Sequence, residues 1–203
     1  MPPATSSARV RVTPPARDRG VKAIVALLAL AVLALVAGPL AHADTILVKS
    51  AELRLEEETW DLSADFEFAL NPTLDEALQK GVPLYFVLEF ELLRPRWYWL
   101  DEKVVTYATQ YRVAYNALTR QYRVSSGLLT QTLTSLDEVE RLLARVTARP
   151  VARRDQLAKG ARYEAALRLR LDVNQLPKPF QVNALASREW TLSSDWHRWS
   201  FTP

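Results

Sequence analysis

The chain has 203 residues, with 26 basic and 23 acidic side chains, 49% hydrophobic residues and 24% charged residues. These proportions are ordinary for a globular protein, and they exclude a disordered tail and a multi-span membrane protein. The absence of cysteine excludes disulfides, thiolate zinc sites, iron–sulfur clusters and a cysteine nucleophile.

The first 43 residues have the three parts of a secretory signal peptide. Residues 1–22 are polar and mostly basic in charge, and residues 23–37 are apolar without interruption. Ala41 and Ala43 place small residues at positions −3 and −1 before Asp44, as a signal cleavage site requires. We therefore expect cleavage after Ala43 and export of residues 44–203 to the periplasm as a single β-rich envelope domain.

The alternative to cleavage is a signal that stays in place and anchors the chain in the inner membrane through residues 23–40. The apolar run is shorter than the roughly 20 residues that span a bilayer comfortably, so cleavage is favoured. Membrane contact is expected only in the uncleaved case. Residues 44–203 carry 21 basic and 22 acidic side chains, and this balance, together with export, argues against nucleic-acid binding.

Alternation of apolar and polar residues predicts most of the strands. The predicted strands lie at about 47–56, 60–70, 84–92, 97–115, 122–124 and 163–173, and a closing strand follows in the tail, which contains Trp196, Trp199 and Phe201. The first two strands form a hairpin with its turn near residues 57–59.

Capping signals predict two short helices. Asn71, Pro72 and Gly81 supply an N-cap, a first-turn proline and a C-terminal glycine for a helix over about 72–80. Ser135 begins a capping box for a second helix that ends at about residue 149, and residues 151–160 are read as a polar connection. We therefore expect a mainly β fold, an antiparallel β-sandwich or open barrel of about seven strands with two short helices.

A segment rich in aromatic and charged side chains follows the third predicted strand: Arg94, Arg96, Trp97, Tyr98, Trp99 and Asp101. Consecutive strand residues point to opposite faces, so at least one ring lies off the core. Rings beside guanidinium groups suit a sugar or a peptide partner. The favoured interpretation nevertheless places Trp97 and Trp99 in the core with the arginines paired to acids, because tryptophan usually serves as a bulky hydrophobe.

A second segment is rich in proline: Leu176, Pro177, Lys178, Pro179 and Phe180. We expect it to be extended, because a residue that precedes proline disfavours the helical conformation. An extended segment of this kind docks partners at low entropic cost. A connecting loop that packs over the sheet is the favoured interpretation.

The sequence offers little for catalysis. Residues 44–203 contain one histidine, His197, and no metalloprotease, nucleophile-elbow or phosphate-loop motif. Charged residues on the outer face of a strand, such as Asp61 with Asp65 or Glu89 with Glu91, are normally solvated. We therefore expect no enzymatic activity, no catalytic or metal-binding residues and no cofactor. A hydrolase that uses a carboxylate pair is the remaining enzymatic alternative.

Several short motifs lie in order along residues 44–203: 51–53, 75–84, 94–101, 111–115, 118–124, 171–173, 176–185 and 190–196. Together they resemble the proteobacterial domain-of-unknown-function family DUF4390, sometimes labelled proline-rich signal peptide proteins. The resemblance implies an exported domain without an assigned activity, often encoded beside a nitrogen-regulation sensor kinase and its response regulator. It implies no catalytic residue.

These observations predict a non-enzymatic interaction module of the cell envelope. The expected partner is an envelope or inner-membrane protein, and the resemblance suggests a role as accessory to a membrane sensor kinase. The alternative is a cell-wall glycan or lipid binder that uses Trp97, Tyr98 and Trp99. The candidate binding residues are those of the aromatic segment and of the proline-rich segment.

Overall fold

A computed structural model describes residues 46–98 and 100–203, which form nine strands and three α-helices. The strands are β1 (Leu47–Glu56), β2 (Thr59–Glu67), β3 (Leu84–Arg94), β4 (Glu102–Asn116), β5 (Gln121–Ser126), β6 (Leu129–Leu133), β7 (Arg145–Arg153), β8 (Tyr163–Leu171) and β9 (His197–Phe201). The helices are α1 (Pro72–Gln79), α2 (Leu136–Leu143) and α3 (Lys178–Ala186). The predicted signal segment, its cleavage site at Ala41, Ala43 and Asp44, and Trp99 lie outside the described residues.

The strands pair antiparallel in two sheets. One sheet has the order β1–β2–β7, and the other has the order β6–β5–β4–β3–β8–β9. Side chains from both sheets, such as Leu62 and Phe66 from one and Phe86 and Phe90 from the other, belong to a single core. The predicted mainly β, antiparallel sandwich is therefore confirmed, and the described strands do not close into a barrel.

The central strand β3 shows how the sequence produces this arrangement. Its alternate residues Leu84, Phe86, Leu88 and Phe90 are fully buried, while Glu89 points to the opposite face beside β8. Burial of each such side chain contributes roughly 1.5–3 kcal/mol, so β3 is a major source of stability.

Helix α1 forms where its capping signals predicted it. The Asn71 side-chain Oδ1 accepts a hydrogen bond from the Leu74 N–H at 2.9 Å, and Pro72 occupies the first turn. Gly81 follows the helix with a φ of 85°, a conformation that glycine adopts without steric cost. The Asn71 side chain also donates to the Glu189 carbonyl at 2.7 Å, which connects α1 to the segment after α3.

The prediction for the region after α2 is wrong. Helix α2 begins after the predicted cap, with the Glu138 N–H donating to Ser135 Oγ at 3.3 Å, but it ends at Leu143. Residues 145–153 form β7 instead of a longer helix and a polar connection. Val146 is buried, as predicted, although from a strand. Pro150 is tolerated there because β7 is a sheet edge with register shifts.

Candidate functional site

Strands β3 and β4 are joined by a seven-residue loop, residues 95–101, which we call the tip. Arg94 and Glu102 are the last pair of the β3–β4 ladder. Pro95 then ends β3, since proline lacks the N–H that the ladder requires. The predicted start of the long strand near Trp97 is therefore wrong, because β4 begins at Glu102.

The described apolar side chains of the tip are exposed to solvent. Trp97 is 94% exposed, Tyr98 is 65% exposed and Leu100 is 82% exposed. The Trp97 and Tyr98 rings contact each other edge to face, with centroids 5.1 Å apart. The favoured prediction that Trp97 fills the core is therefore wrong. Large exposed apolar patches often mark interaction sites, so the tip is the candidate functional site.

Ion pairs hold the base of the tip. The Arg96 guanidinium lies 2.5 Å from the Glu102 carboxylate, and the Arg96 N–H donates to the Asp101 carboxylate at 3.4 Å. Behind them, Lys103 pairs with Glu91 at 2.7 Å. The predicted pairing of arginine with acids is thus confirmed for Arg96, and the apolar side chains project from a base that is fixed on both sides.

Leu100 is the one described apolar residue of the tip that the sequence prediction left out. The prediction placed it inside a strand, where an isolated leucine normally points into the core. Its position between an aromatic run and Asp101, directly after a proline-interrupted strand, was the available signal that residues 95–101 form a loop.

The proline-rich segment has a different structure from the one predicted. Helix α3 begins at Lys178, because Pro179 stands in the first helical turn, where its missing N–H has no helical acceptor. Leu176 is buried, and the Phe180 ring packs against Trp190 with centroids 5.6 Å apart. Leu176 and Pro177 keep an extended backbone before the helix. Leu176 and Phe180 therefore pack in or against the core, whereas Pro177, Lys178 and Pro179 between them are exposed.

The tip and the proline-rich segment lie at opposite ends of the larger sheet. Leu93 pairs with Glu164 at the start of β8, and Phe86 pairs with Leu171 at its end. Seven residues of strand separate these pairs, about 23 Å at roughly 3.3 Å per residue. The two candidate segments therefore do not form one binding surface.

The carboxylates considered for catalysis are engaged in structural contacts. Glu89 accepts hydrogen bonds from Arg168 Nε at 2.9 Å and Arg170 Nη2 at 2.9 Å. Burial raises the pKa of Glu89, but the two guanidinium groups outweigh it and hold this pKa below its usual value. Asp65 pairs with Arg145 at 3.2 Å.

The remaining two carboxylates also have partners. Asp61 accepts a hydrogen bond from the Thr59 hydroxyl at 2.7 Å, and Glu91 pairs with Lys103. Across residues 46–98 and 100–203, no group of three or more His, Asp and Glu side chains is placed to hold a metal ion.

A hollow of about 230 Å³ lies between the sheets, lined by residues of β4, β5, β6, α2 and β7. Tyr111 is on its wall, where burial raises the pKa of the phenol against the opposing effect of the nearby Arg149 guanidinium. Gln131 of β6 and Arg145 of β7 are also on the wall. The hollow lies beside the β6 edge of one sheet and the β7 edge of the other.

A comparison with protein families gives a match over most of the chain. The family described as Domain of unknown function (DUF4390) matches residues 43–200. The chain belongs to this family. The matched range contains the tip, the proline-rich segment and eight of the nine described strands in full. No curated protein and no solved structure matches the chain.

In the described part of the chain, no helix is both long enough and apolar enough to cross a membrane.

Proposed function

We propose that this protein is a non-enzymatic interaction module exported to the cell envelope, and that the tip is its contact surface. The observation that carries the proposal is the exposure of Trp97, Tyr98 and Leu100 on one short loop. Tryptophan, tyrosine and arginine are the residues that most often dominate binding energy at protein interfaces. Aromatic side chains also contribute large contact areas while they lose little rotamer freedom.

The partner that fits the tip best is a protein with an apolar groove. The tip is the convex end of a hairpin, and its base is held by the Arg96 ion pair, so little ordering cost is added when it binds. The exposed Arg94 at the end of β3 adds a positive group beside the rings. An envelope or inner-membrane protein, such as the external domain of a sensor kinase, is the partner class we propose.

A lipid surface is a second candidate partner for the same tip. Tryptophan and tyrosine prefer the interface between membrane and water, where their rings are apolar and their polar atoms stay hydrated. A glycan is a poorer fit, because Trp97 and Tyr98 meet edge to face on a convex loop and do not form a flat platform within a groove.

The engagement of Asp61, Asp65, Glu89 and Glu91 in ion pairs and hydrogen bonds supports a non-enzymatic role. A hydrolase of the carboxylate-pair type needs one acid free to donate a proton and another free to act as nucleophile or base.

The proposal is tested by photo-crosslinking in cells that express the full-length chain. A photoreactive phenylalanine analogue replaces Tyr98 in one sample and Leu118 in the other. Leu118 is the matched control, because it is 93% exposed in the turn between β4 and β5, at the far end of β4. We expect one discrete protein adduct from position 98 and none from position 118.

Flotation with vesicles of phosphatidylethanolamine and phosphatidylglycerol separates the two candidate partners. Binding that is lost in the triple variant Trp97→Ser, Tyr98→Ser, Leu100→Ser and kept in Leu118→Ser identifies lipid as the partner. No adduct from position 98 and no vesicle binding would contradict the proposed function.

A further inference from the structure

Four of the nine described strands lie at sheet edges, and three of these four carry features that protect an open edge. Strand β1 has a register shift near Val48 and four charged residues, and β7 has Pro150 and two register shifts. Strand β9 carries Arg198, which pairs with Glu164 at 2.7 Å. Charges, prolines and irregular register are the usual means by which proteins prevent edge-to-edge pairing.

Strand β6 has none of these features. Its sequence, Leu-Thr-Gln-Thr-Leu, contains no charge and no proline, and it lies in an uncharged run of 13 residues, 124–136. Its register with β5 is regular. Leu129 is 67% exposed, and Leu128 in the preceding turn is fully exposed. An edge of this composition is a template for pairing with another strand.

The hydrogen-bonding pattern of β6 determines which of its groups are free. A two-residue turn, Gly127 and Leu128, joins β5 to β6, and Gly127 has the positive φ of 58° that a type II′ turn needs. The closing pair of such a turn is hydrogen-bonded, and bonded pairs then alternate along the ladder. Leu129, Gln131 and Leu133 therefore bond to β5, and the backbone groups of Thr130 and Thr132 point to the open edge.

The sequence of β6 reads the same in both directions about Gln131. In an antiparallel pair of two identical strands centred on that residue, Thr130 of one chain lies opposite Thr132 of the other, and Leu129 lies opposite Leu133. The Thr130–Thr132 pairs, whose backbone groups point to the open edge, are then the hydrogen-bonded pairs between the two copies. Facing threonines and facing leucines are favourable cross-strand pairs.

We propose that β6 is a self-association edge, and that its occupant is β6 of a second copy of this chain. A two-fold axis passes between the two Gln131 side chains and joins the two six-stranded sheets into one. Such an isologous contact requires a surface that is complementary to itself, which the palindromic strand supplies. An extended strand from another protein has no reason to match this symmetry.

The association is small, so we expect a weak, concentration-dependent dimer. It is also independent of the tip. Ser125 of β5 pairs with Arg112, which is ten residues along β4 from Glu102, about 33 Å. Dimer formation therefore leaves the tip open, and failure of one proposal does not affect the other.

Charge at the two-fold axis provides the main test. The protein, expressed from the full-length coding sequence, is examined by sedimentation from about 10 to 500 µM, the range of a weak contact. We expect wild type to dimerise, and Gln131→Glu and Gln131→Lys to be monomeric, because each places like charges opposite each other. An equimolar mixture of the two variants should dimerise again.

Gln110→Glu and Gln110→Lys are the matched controls, since Gln110 is exposed on the inner strand β4, and they should behave as wild type. A wild-type protein that stays monomeric over this range, or a dimer that both Gln131 variants leave intact, overturns the proposal.

A cysteine at the axis provides an independent test, because the chain has no other cysteine. In a non-hydrogen-bonded antiparallel pair the Cα atoms are about 4.5 Å apart, within the range of a disulfide. Gln131→Cys should therefore form a disulfide-linked dimer under mild oxidation. Leu128→Cys is fully exposed but lies about 20 Å from its copy in this register, and should stay monomeric. Equal crosslinking of both variants overturns the register.

Discussion

The tip and the proline-rich segment have similar compositions and opposite structures. Both place aromatic residues close to proline, yet Trp97 is 94% exposed whereas Phe180 is partly buried and packs on Trp190 against the core. The tip is only seven residues between two paired strands, too short to fold back over the sheet. The segment after Leu176 is long enough to form a helix, and that helix packs Phe180 and Ala184 against the core.

Aromatic residues beside proline therefore do not by themselves distinguish a binding surface from a segment that packs against the core. The number of residues between two paired elements determines whether an aromatic ring can fold back and pack against another layer of the fold. Local hydrogen bonds also contribute. Gln181 Nε2 donates to the Asn174 and Leu176 carbonyls, both at 2.7 Å, and these bonds stabilise the start of α3. The described rings of the tip contact each other.

The largest effect is expected at the buried segment. Leu176→Ala removes a side chain from the core and should lower the free energy of unfolding by about 2–4 kcal/mol. Urea denaturation of the purified protein measures this loss. A loss below about 0.5 kcal/mol, the level of an ordinary surface substitution, would show that the segment is not a core element.

A smaller effect is expected at Asn71, the residue that joins α1 to the segment after α3. Asn71→Ala removes the N-cap of α1 and the hydrogen bond to the Glu189 carbonyl, and should cost about 1–2 kcal/mol. Thermal unfolding measures it, with Asn71→Asp as the control. Aspartate keeps the capping oxygen and loses the donor to Glu189, so it should lie between wild type and alanine.

The charged face of the larger sheet, between the two regions, should contribute less. Glu89→Gln leaves Arg168 and Arg170 without their shared carboxylate and should cost about 1 kcal/mol at pH 7, since the group is partly exposed. The folded pKa of Glu89 lies below the unfolded value, so its contribution is complete above the unfolded pKa and is lost as pH falls through the folded pKa.

The difference in stability between wild type and Glu89→Gln should therefore shrink as the pH is lowered below about 4, the range of an unfolded glutamate. Urea denaturation at pH 7 and at lower pH measures this change. A difference that stays constant with pH would show that the two arginines do not lower this pKa.

The smallest effect on stability is expected at the tip. Trp97→Ser should change the free energy of unfolding by less than about 0.5 kcal/mol, because an exposed side chain loses few contacts on replacement. Urea denaturation beside Leu176→Ala measures the contrast directly. A loss comparable with that of Leu176→Ala would mean that the Trp97 ring is packed in the folded protein.

The sequence predicted the elements whose apolar residues fit only one periodicity, either that of a strand or that of a helix. Alternate apolar residues from Leu84 to Leu92 fit a strand and no helix, so β3 was predictable. Val146 fits both a helical stripe and a strand, so only tertiary pairing with β2 decides that β7 forms. Strand β6 carries no burial alternation, since nearly all its residues are exposed, and sequence pattern did not find it.

The sequence predicted where the candidate site lies along the chain but not that its side chains are exposed. Composition located residues 94–101, yet the exposure of Trp97 depends on where β4 begins. That boundary is set by the Arg94 and Glu102 pair and by the Arg96 contacts across the loop. These are a backbone ladder pair, a backbone N–H bonded to a carboxylate and one ion pair, and periodicity encodes none of them.

The proposed function requires that a partner covers the tip in the cell. It is tested most directly by the labelling rate of a single cysteine with a membrane-impermeant maleimide. Leu100→Cys reports on the tip and keeps Trp97 and Tyr98, and Leu118→Cys is its exposed control at the far end of β4. The rate for each is measured in intact cells with a permeabilised outer membrane and with purified protein.

The labelling rate follows the fraction of protein whose tip is unoccupied. Position 100 should therefore react at least about fivefold more slowly in cells than in purified protein. Position 118 should react at the same rate in both. Equal rates at position 100 in cells and in purified protein would contradict the account.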